Sequence, residues 1–332
     1  LLDPENCGPV TLSLPQDVQA EAFDYPEQFF TQKTHSIRQI KLDDAELDHA
    51  IEELLKSKRP LIIAGGGVHY AKACEDLQQF AKQHQIPVAE TSAGKGALAW
   101  DHSSYVGAIG VTGSNAANNM AKQADLVLAI GTRLNDFNSG SRALFSSATI
   151  VQLNVARFDA IKHNALPLWG DAKLGIQQLD TKLSNWKVSK EWVDLAHEES
   201  SKWNNYYDEI TSIKSASKTM DSLPTDAQVL GELKRNGKAN DIVVCAAGSL
   251  PGELHKLWRT EQIGGYHAEY GFSCMGYEIA GGLGVKMAEP EREVIVLVGD
   301  GSYLMLNSEL ATSVMLGQKI IVVVLDNRGF SC

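Results

Sequence analysis

No stretch of the 332-residue sequence approaches the ~20 consecutive apolar residues that a membrane-spanning helix needs, so it is read without a membrane partner. Its first residues, LLDPENCGPV, lack the basic and apolar regions of a secretory signal. There is no CxxC pair. Cys7, Cys74, Cys245, Cys274 and Cys332 are odd in number and scattered, which fits reduced thiols of the cytoplasm better than a disulfide or zinc framework. A basic stripe is missing as well: 30 Lys and Arg stand against 41 Asp and Glu, and the net charge of −11 argues against a nucleic-acid partner. An initiator Met is absent and Cys332 falls just after a strand-like run, so the expectation is a piece of a longer protein. What is present is ordinary for a globular chain, 44% hydrophobic and 21% charged, long enough for two or three domains.

The most informative stretch is 293–329, EVIVLVGDGSYLMLNSELATSVMLGQKIIVVVLDNRG. Two continuous β-branched runs, 294–298 and 320–325, flank a helical segment, the pattern of buried neighbours in a parallel sheet joined by a right-handed crossover. Each run ends in polar residues: Gly299, Asp300 and Gly301 after the first, Asp326 and Asn327 after the second. Ligands of open α/β sheets sit outside the carboxyl ends of the strands, so both clusters are expected in one crevice. There Asp300 and Asn327 offer a carboxylate and an amide oxygen to a hard cation such as magnesium, whose other ligands are water and phosphate oxygens. The glycines beside Asp300 admit a diphosphate to the backbone, where the following amides, including that of Ser302, can donate. A lone GDG is otherwise only a turn.

Upstream, strand-like and helical segments alternate. Residues 9–14 (PVTLSL) read as one strand, the end of a domain covering 1–35. From 36 to 183 the pattern is βα repeated: a helix with a capping-box signature at Asp43 and Glu46 and an apolar face of Leu47, Ile51, Leu54 and Leu55; a strand ending in Gly65–Gly67; a helix with Cys74, Leu77 and Phe80 inward; then strands in 86–94, 124–134, 149–155 and 166–171. This implies a Rossmann-like parallel sheet. GGGVHY is not GxGxxG, since Tyr70 takes the third glycine position. Asn154 stands where a ribose-gripping acid belongs, and Gly107, Gly110 and Gly113 recur in an unspecific loop. A structural domain is favoured over a nucleotide site. Residues 184–222 form a helical linker whose stripe of Trp192, Ala196, Glu199, Trp203 and Tyr207 is expected to pack on a neighbour. Ser222–Asp226 caps a helix over 227–235. In the last region, 223–332, a strand in 241–250 ends at Gly248 and Ser249, whose amides serve either a diphosphate or a plain turn.

GDG, a spacer over 302–325 and a DN ending resemble the motif of the thiamine diphosphate (ThDP) enzymes. The resemblance runs through the whole chain. Within that superfamily, GPVTLSLPQDVQAEAFDYPEQFF, HAEYGFSCMGYEIAGGLGVKMA and SYLMLNSELATSVMLGQKIIVVVLDNRGF resemble the trihydroxycyclohexane-1,2-dione hydrolases of myo-inositol catabolism. The resemblance implies the end of a pyrimidine-binding domain, a complete middle domain and the truncated first part of a diphosphate-binding α/β domain. It implies magnesium on Asp300, Asn327 and the Gly329 carbonyl, and diphosphate on Gly299, Gly301 and Ser302 with Gly248 and Ser249. Met275 would be the wedge under the cofactor, and the Ser273 carbonyl would accept from its aminopyrimidine, although Ser273 departs from the family's usual glycine. His267 and Glu269 stand either toward substrate or on the surface. The activity implied is hydrolytic C–C cleavage of a small cyclic 1,2-diketone. The activating glutamate would lie on a domain this chain lacks, so the chain alone is expected to be inactive. The site would lie between subunits of a homodimer or homotetramer. A carboligase of the acetolactate synthase type and a non-enzymatic nucleotide-binding module are the alternatives.

Overall fold

Ten short strands form among the described residues, most of them aliphatic runs. These are β1 (Pro60–Ala64), β2 (Val88–Glu90), β3 (Tyr105–Ala108), β4 (Leu126–Ile130), β5 (Thr149–Asn154), β6 (Leu166–Trp169), β7 (Ile242–Cys245), β8 (Tyr266–Ala268), β9 (Val294–Gly299) and β10 (Ile321–Leu325). The computed structural model describes residues 1–213, 223–269 and 271–330; the end of the expected linker, 214–222, and Cys332 lie outside them. All pairings are parallel, in two sheets ordered β3-β2-β1-β4-β5-β6 and β10-β9-β7-β8. The class is α/β, as the sequence implies.

Several local expectations are corrected. Residues 9–14 form no strand: Leu12 is 82% exposed, and no strand among the described residues lies beside them to share a ladder. Asp43 does cap the helix Asp44–Lys56, accepting from the Ala45 amide at 2.9 Å, but Glu46 does not close the box. Its carboxylate instead accepts from the Trp169 amide at 3.1 Å and pins β6. Leu47, Ile51 and Leu54 are buried, whereas Leu55 is exposed because the next residue points about 100° away around the helix. Gly107 lies inside β3 rather than in a loop. A complete capping box occurs instead between Thr225 and Gln228, heading the helix Asp226–Asn236.

The glycines after β1 serve close backbone packing. Gly67 donates to the Gly131 carbonyl at 2.9 Å, and a Cβ on Gly131 would stand 2.6 Å from the Gly67 Cα. Asn154 is satisfied within the chain, donating to the Thr132 carbonyl at 2.9 Å and accepting from the Ala156 amide at 2.9 Å.

Helix Lys190–Thr211 joins the two sheets. Trp192 and Ala196 enter the core of the first, with the Trp192 indole donating to the Pro60 carbonyl at 2.8 Å, while Tyr207 enters the core of the second. The aromatic stripe is therefore a packing face. A second junction is polar: buried His255, on helix Leu250–Leu257, meets the Thr112 hydroxyl at 3.0 Å and the Glu90 carbonyl at 3.1 Å. Burial, helped by the nearby Lys95 charge, pushes its imidazole down to about 3, so this contact is made by the neutral ring.

Candidate cofactor site

The register of β9 and β10 pairs Leu325 with Gly299, which brings the two polar clusters to the same end of the sheet. Residues 294–298 are buried, so the strand holds the GDG turn at its end in a fixed place. Asp300 opens the helix Asp300–Met305. Its Oδ1 is buried and has no hydrogen-bond partner, a costly position for a carboxylate oxygen unless a cation or donor from outside the chain meets it. Across from it, Asp326 Oδ1 accepts from the Arg328 amide at 2.9 Å and Asn327 Oδ1 from the Gly329 amide at 3.3 Å, folding 326–329 into a tight turn. The Phe330 ring then lies against Gly301, where a Cβ would intrude on it.

The end of β7 borders the same crevice, because β7 is the other neighbour of β9. Gly248 has φ +87°, is exposed, and faces open space where a side chain would stand. Ser249 is exposed and makes no side-chain cap bond. Gly299 likewise faces open space. A buried, partnerless carboxylate oxygen at the end of β9, with open glycine backbone at Gly248 and Gly299, is the chemistry that a diphosphate-bound cation calls for.

Not every candidate points outward. Ser302 is buried: its hydroxyl donates to Glu278 Oε2 at 2.8 Å and accepts from the Gly276 amide at 2.7 Å. Only its main chain is left for a diphosphate. Glu269 is also committed, accepting from the Phe272 amide at 3.0 Å and the Cys274 amide at 2.7 Å. Burial raises its carboxyl, but those two amides outweigh it and hold the group below its ordinary value. The loop it braces carries Ser273, left-handed at φ +53°, and the partly exposed Met275. A serine in that conformation carries strain that a glycine would not. His267 is exposed on β8, its imidazole held below its ordinary value by desolvation and then by the Arg292 charge. One residue was missed: Glu278, 1% exposed, accepts from the Ala247 amide at 3.2 Å, the Gly276 amide at 3.0 Å and the Ser302 hydroxyl. Nothing in MGYEIA separates it from a solvated helix residue. Among the described residues no cluster of three His, Cys, Asp or Glu could hold a metal alone.

Residues 47–179 match the thiamine pyrophosphate enzyme central domain, and residues 246–332 match the C-terminal TPP binding domain of the same enzymes. A Clostridium tetani protein named 3D-(3,5/4)-trihydroxycyclohexane-1,2-dione hydrolase is 41% identical over 353 residues, covering 100% of this chain and 55% of the relative. Proteins of the same name from Geobacillus thermodenitrificans and Clostridium perfringens are 42% and 41% identical, again over 100% of this chain, covering 54% and 55% of their own length. The chain spans about half the length of the curated relatives it matches.

Proposed function

The chain belongs to the thiamine pyrophosphate enzyme family, and from that premise we propose that it works within a longer magnesium- and ThDP-dependent hydrolase. Its substrate is trihydroxycyclohexane-1,2-dione, opened by C–C cleavage to a deoxyuronic acid in inositol catabolism. The cofactor reading rests on one observation above the others: the buried, partnerless Asp300 Oδ1 at the carboxyl end of β9. The substrate reading rests on the name shared by relatives about 41% identical over the whole chain.

In this reading Asp300 and Asn327 hold magnesium, with the Gly329 carbonyl as a third ligand. The main chain at Gly299, Gly301, Ser302, Gly248 and Ser249 receives diphosphate oxygens. Met275 supports the cofactor ring, and the Ser273 carbonyl accepts from its aminopyrimidine. When bound, ThDP supplies an electron sink for cleavage beside a carbonyl. His267 is the candidate donor to a substrate hydroxyl. Glu269 acts one step back, by fixing the loop that presents Met275. The activating glutamate belongs to a separate pyrimidine-binding domain, and the working unit is a dimer or tetramer with the site between subunits. A cytoplasmic setting agrees with the free Cys7, Cys74, Cys245 and Cys274; no described helix is long and apolar enough to cross a membrane.

The test is an assay of the full-length protein with magnesium and ThDP against the dione and against pyruvate. Ring opening of the dione is expected. His267→Ala should lower kcat/KM for the dione about tenfold, the worth of one good hydrogen bond, and leave the KM for ThDP unchanged. Glu269→Ala should instead raise the KM for ThDP as well. Acetolactate formation from pyruvate without dione opening would overturn the substrate reading.

A further inference from the structure

The three groups that bond to Glu278 come from three separate segments. The Ala247 amide belongs to the turn after β7, the Gly276 amide to the turn before helix Tyr277–Ala288, and the Ser302 hydroxyl to the helix after β9. Each is adjacent in the chain to a residue of the cofactor site: Ala247 precedes Gly248, Gly276 follows Met275, and Ser302 follows Asp300 and Gly301. Gly276 is held twice, its amide shared between Glu278 Oε2 and the Ser302 hydroxyl, and its φ of +91° sets the chain's entry into the helix. A carboxylate this deeply buried is tolerable only when its oxygens are met by donors. All of its partners donate, so the network is complete only when the three segments stand in one arrangement.

We propose that Glu278 is a positioning residue for the diphosphate crevice. It pulls the ends of β7 and β9 and the Met275 turn into the register that magnesium and ThDP require. It touches no cofactor atom itself. This inference rests on the proposed cofactor reading and adds a residue to it. Glutamine at the position keeps the shape but replaces one acceptor by an NH₂ group, which must face an N–H or O–H donor. The segments then lose one anchor and gain a donor–donor conflict beneath the crevice.

The experiment measures magnesium-dependent ThDP binding to the full-length protein by calorimetry, alongside apoprotein melting. Glu278→Gln is expected to raise the Kd for ThDP at least about tenfold, the range for groups that orient ligand-bearing residues. The KM for ThDP should rise in parallel, with kcat at saturating ThDP nearly unchanged. Ser302→Ala, which removes one donor and keeps the carboxylate, should shift Kd in the same direction by a smaller factor. Ile279→Val, a packing change beside Glu278 on the same helix, should lower the melting temperature yet leave Kd within about twofold. Wild-type affinity in Glu278→Gln or in Ser302→Ala would overturn the proposal. So would loss of affinity in Ile279→Val in proportion to its lost stability, since that marks a general structural role. Failure of the unmutated protein to bind ThDP at all would instead overturn the cofactor reading, and it is seen without any mutant.

Discussion

Asp300→Ala is expected to weaken magnesium-dependent ThDP binding by at least about 100-fold, because it removes one of the two side chains proposed to hold a metal that otherwise relies on water and phosphate oxygens. The fold should survive, since the Asp300 Oδ1 makes no bond within the chain whose loss would cost stability. Removing a buried, partnerless carboxylate oxygen is, on its own, expected to leave the apoprotein as stable or slightly more so. The combination is diagnostic: cofactor affinity collapses while the apoprotein melting temperature holds or rises. Asp300→Asn should lie between, keeping an oxygen but losing the charge. Unchanged affinity in Asp300→Ala would remove the metal from this site.

Gly131→Ala should cost at least about 3 kcal/mol, from a Cβ with no room and a left-handed backbone. Its φ is +61°, and the new Cβ would stand 2.6 Å from the Gly67 Cα and 2.9 Å from the Val68 nitrogen. Both neighbours are backbone of the short helix Gly66–Tyr70, where the Gly67 amide is bound to the Gly131 carbonyl and the Val68 amide to the Gly65 carbonyl, so neither can swing aside as a flexible side chain would. With about 2–4 °C per kcal/mol for a domain of this size, melting should fall by roughly 6–12 °C. The site at the other sheet should bind ThDP unchanged at temperatures where the protein is folded. A melting temperature within about 1–2 °C of wild type would mean that these glycines are not there for packing.

How much of the molecule was legible in the sequence depends on how local each signal is. β9 and β10 could be read because continuous β-branched runs with a helix between them have few other interpretations, and their parallel pairing puts the two polar strand ends at one edge of the sheet without further information. β3 was obscured by Gly107, a weak strand former whose missing side chain makes way for Ser114. β8 is three residues, too short for any periodicity to register. The opposite error occurred at 9–14, where alternation resembles a strand but pairing depends on a neighbour that the alternation cannot supply. Side-chain direction was the hardest feature to read. Ser302 and Glu278 lie 24 residues apart and bury each other's polar groups, and Glu278 also takes the Ala247 amide 31 residues away. No pattern within one helix announces such a bond. Glu269 was visible as a candidate, but its commitment to the Phe272 and Cys274 amides was not, and that moves it from substrate contact to loop support.

The most direct test is a crystal structure of the full-length protein grown with magnesium and ThDP. The account predicts metal bound by the Asp300 carboxylate and the Asn327 amide oxygen, with diphosphate oxygens on the main chain at Gly248, Ser249 and Gly301. A diphosphate seated elsewhere, or a metal that leaves Asp300 uncoordinated, would contradict it.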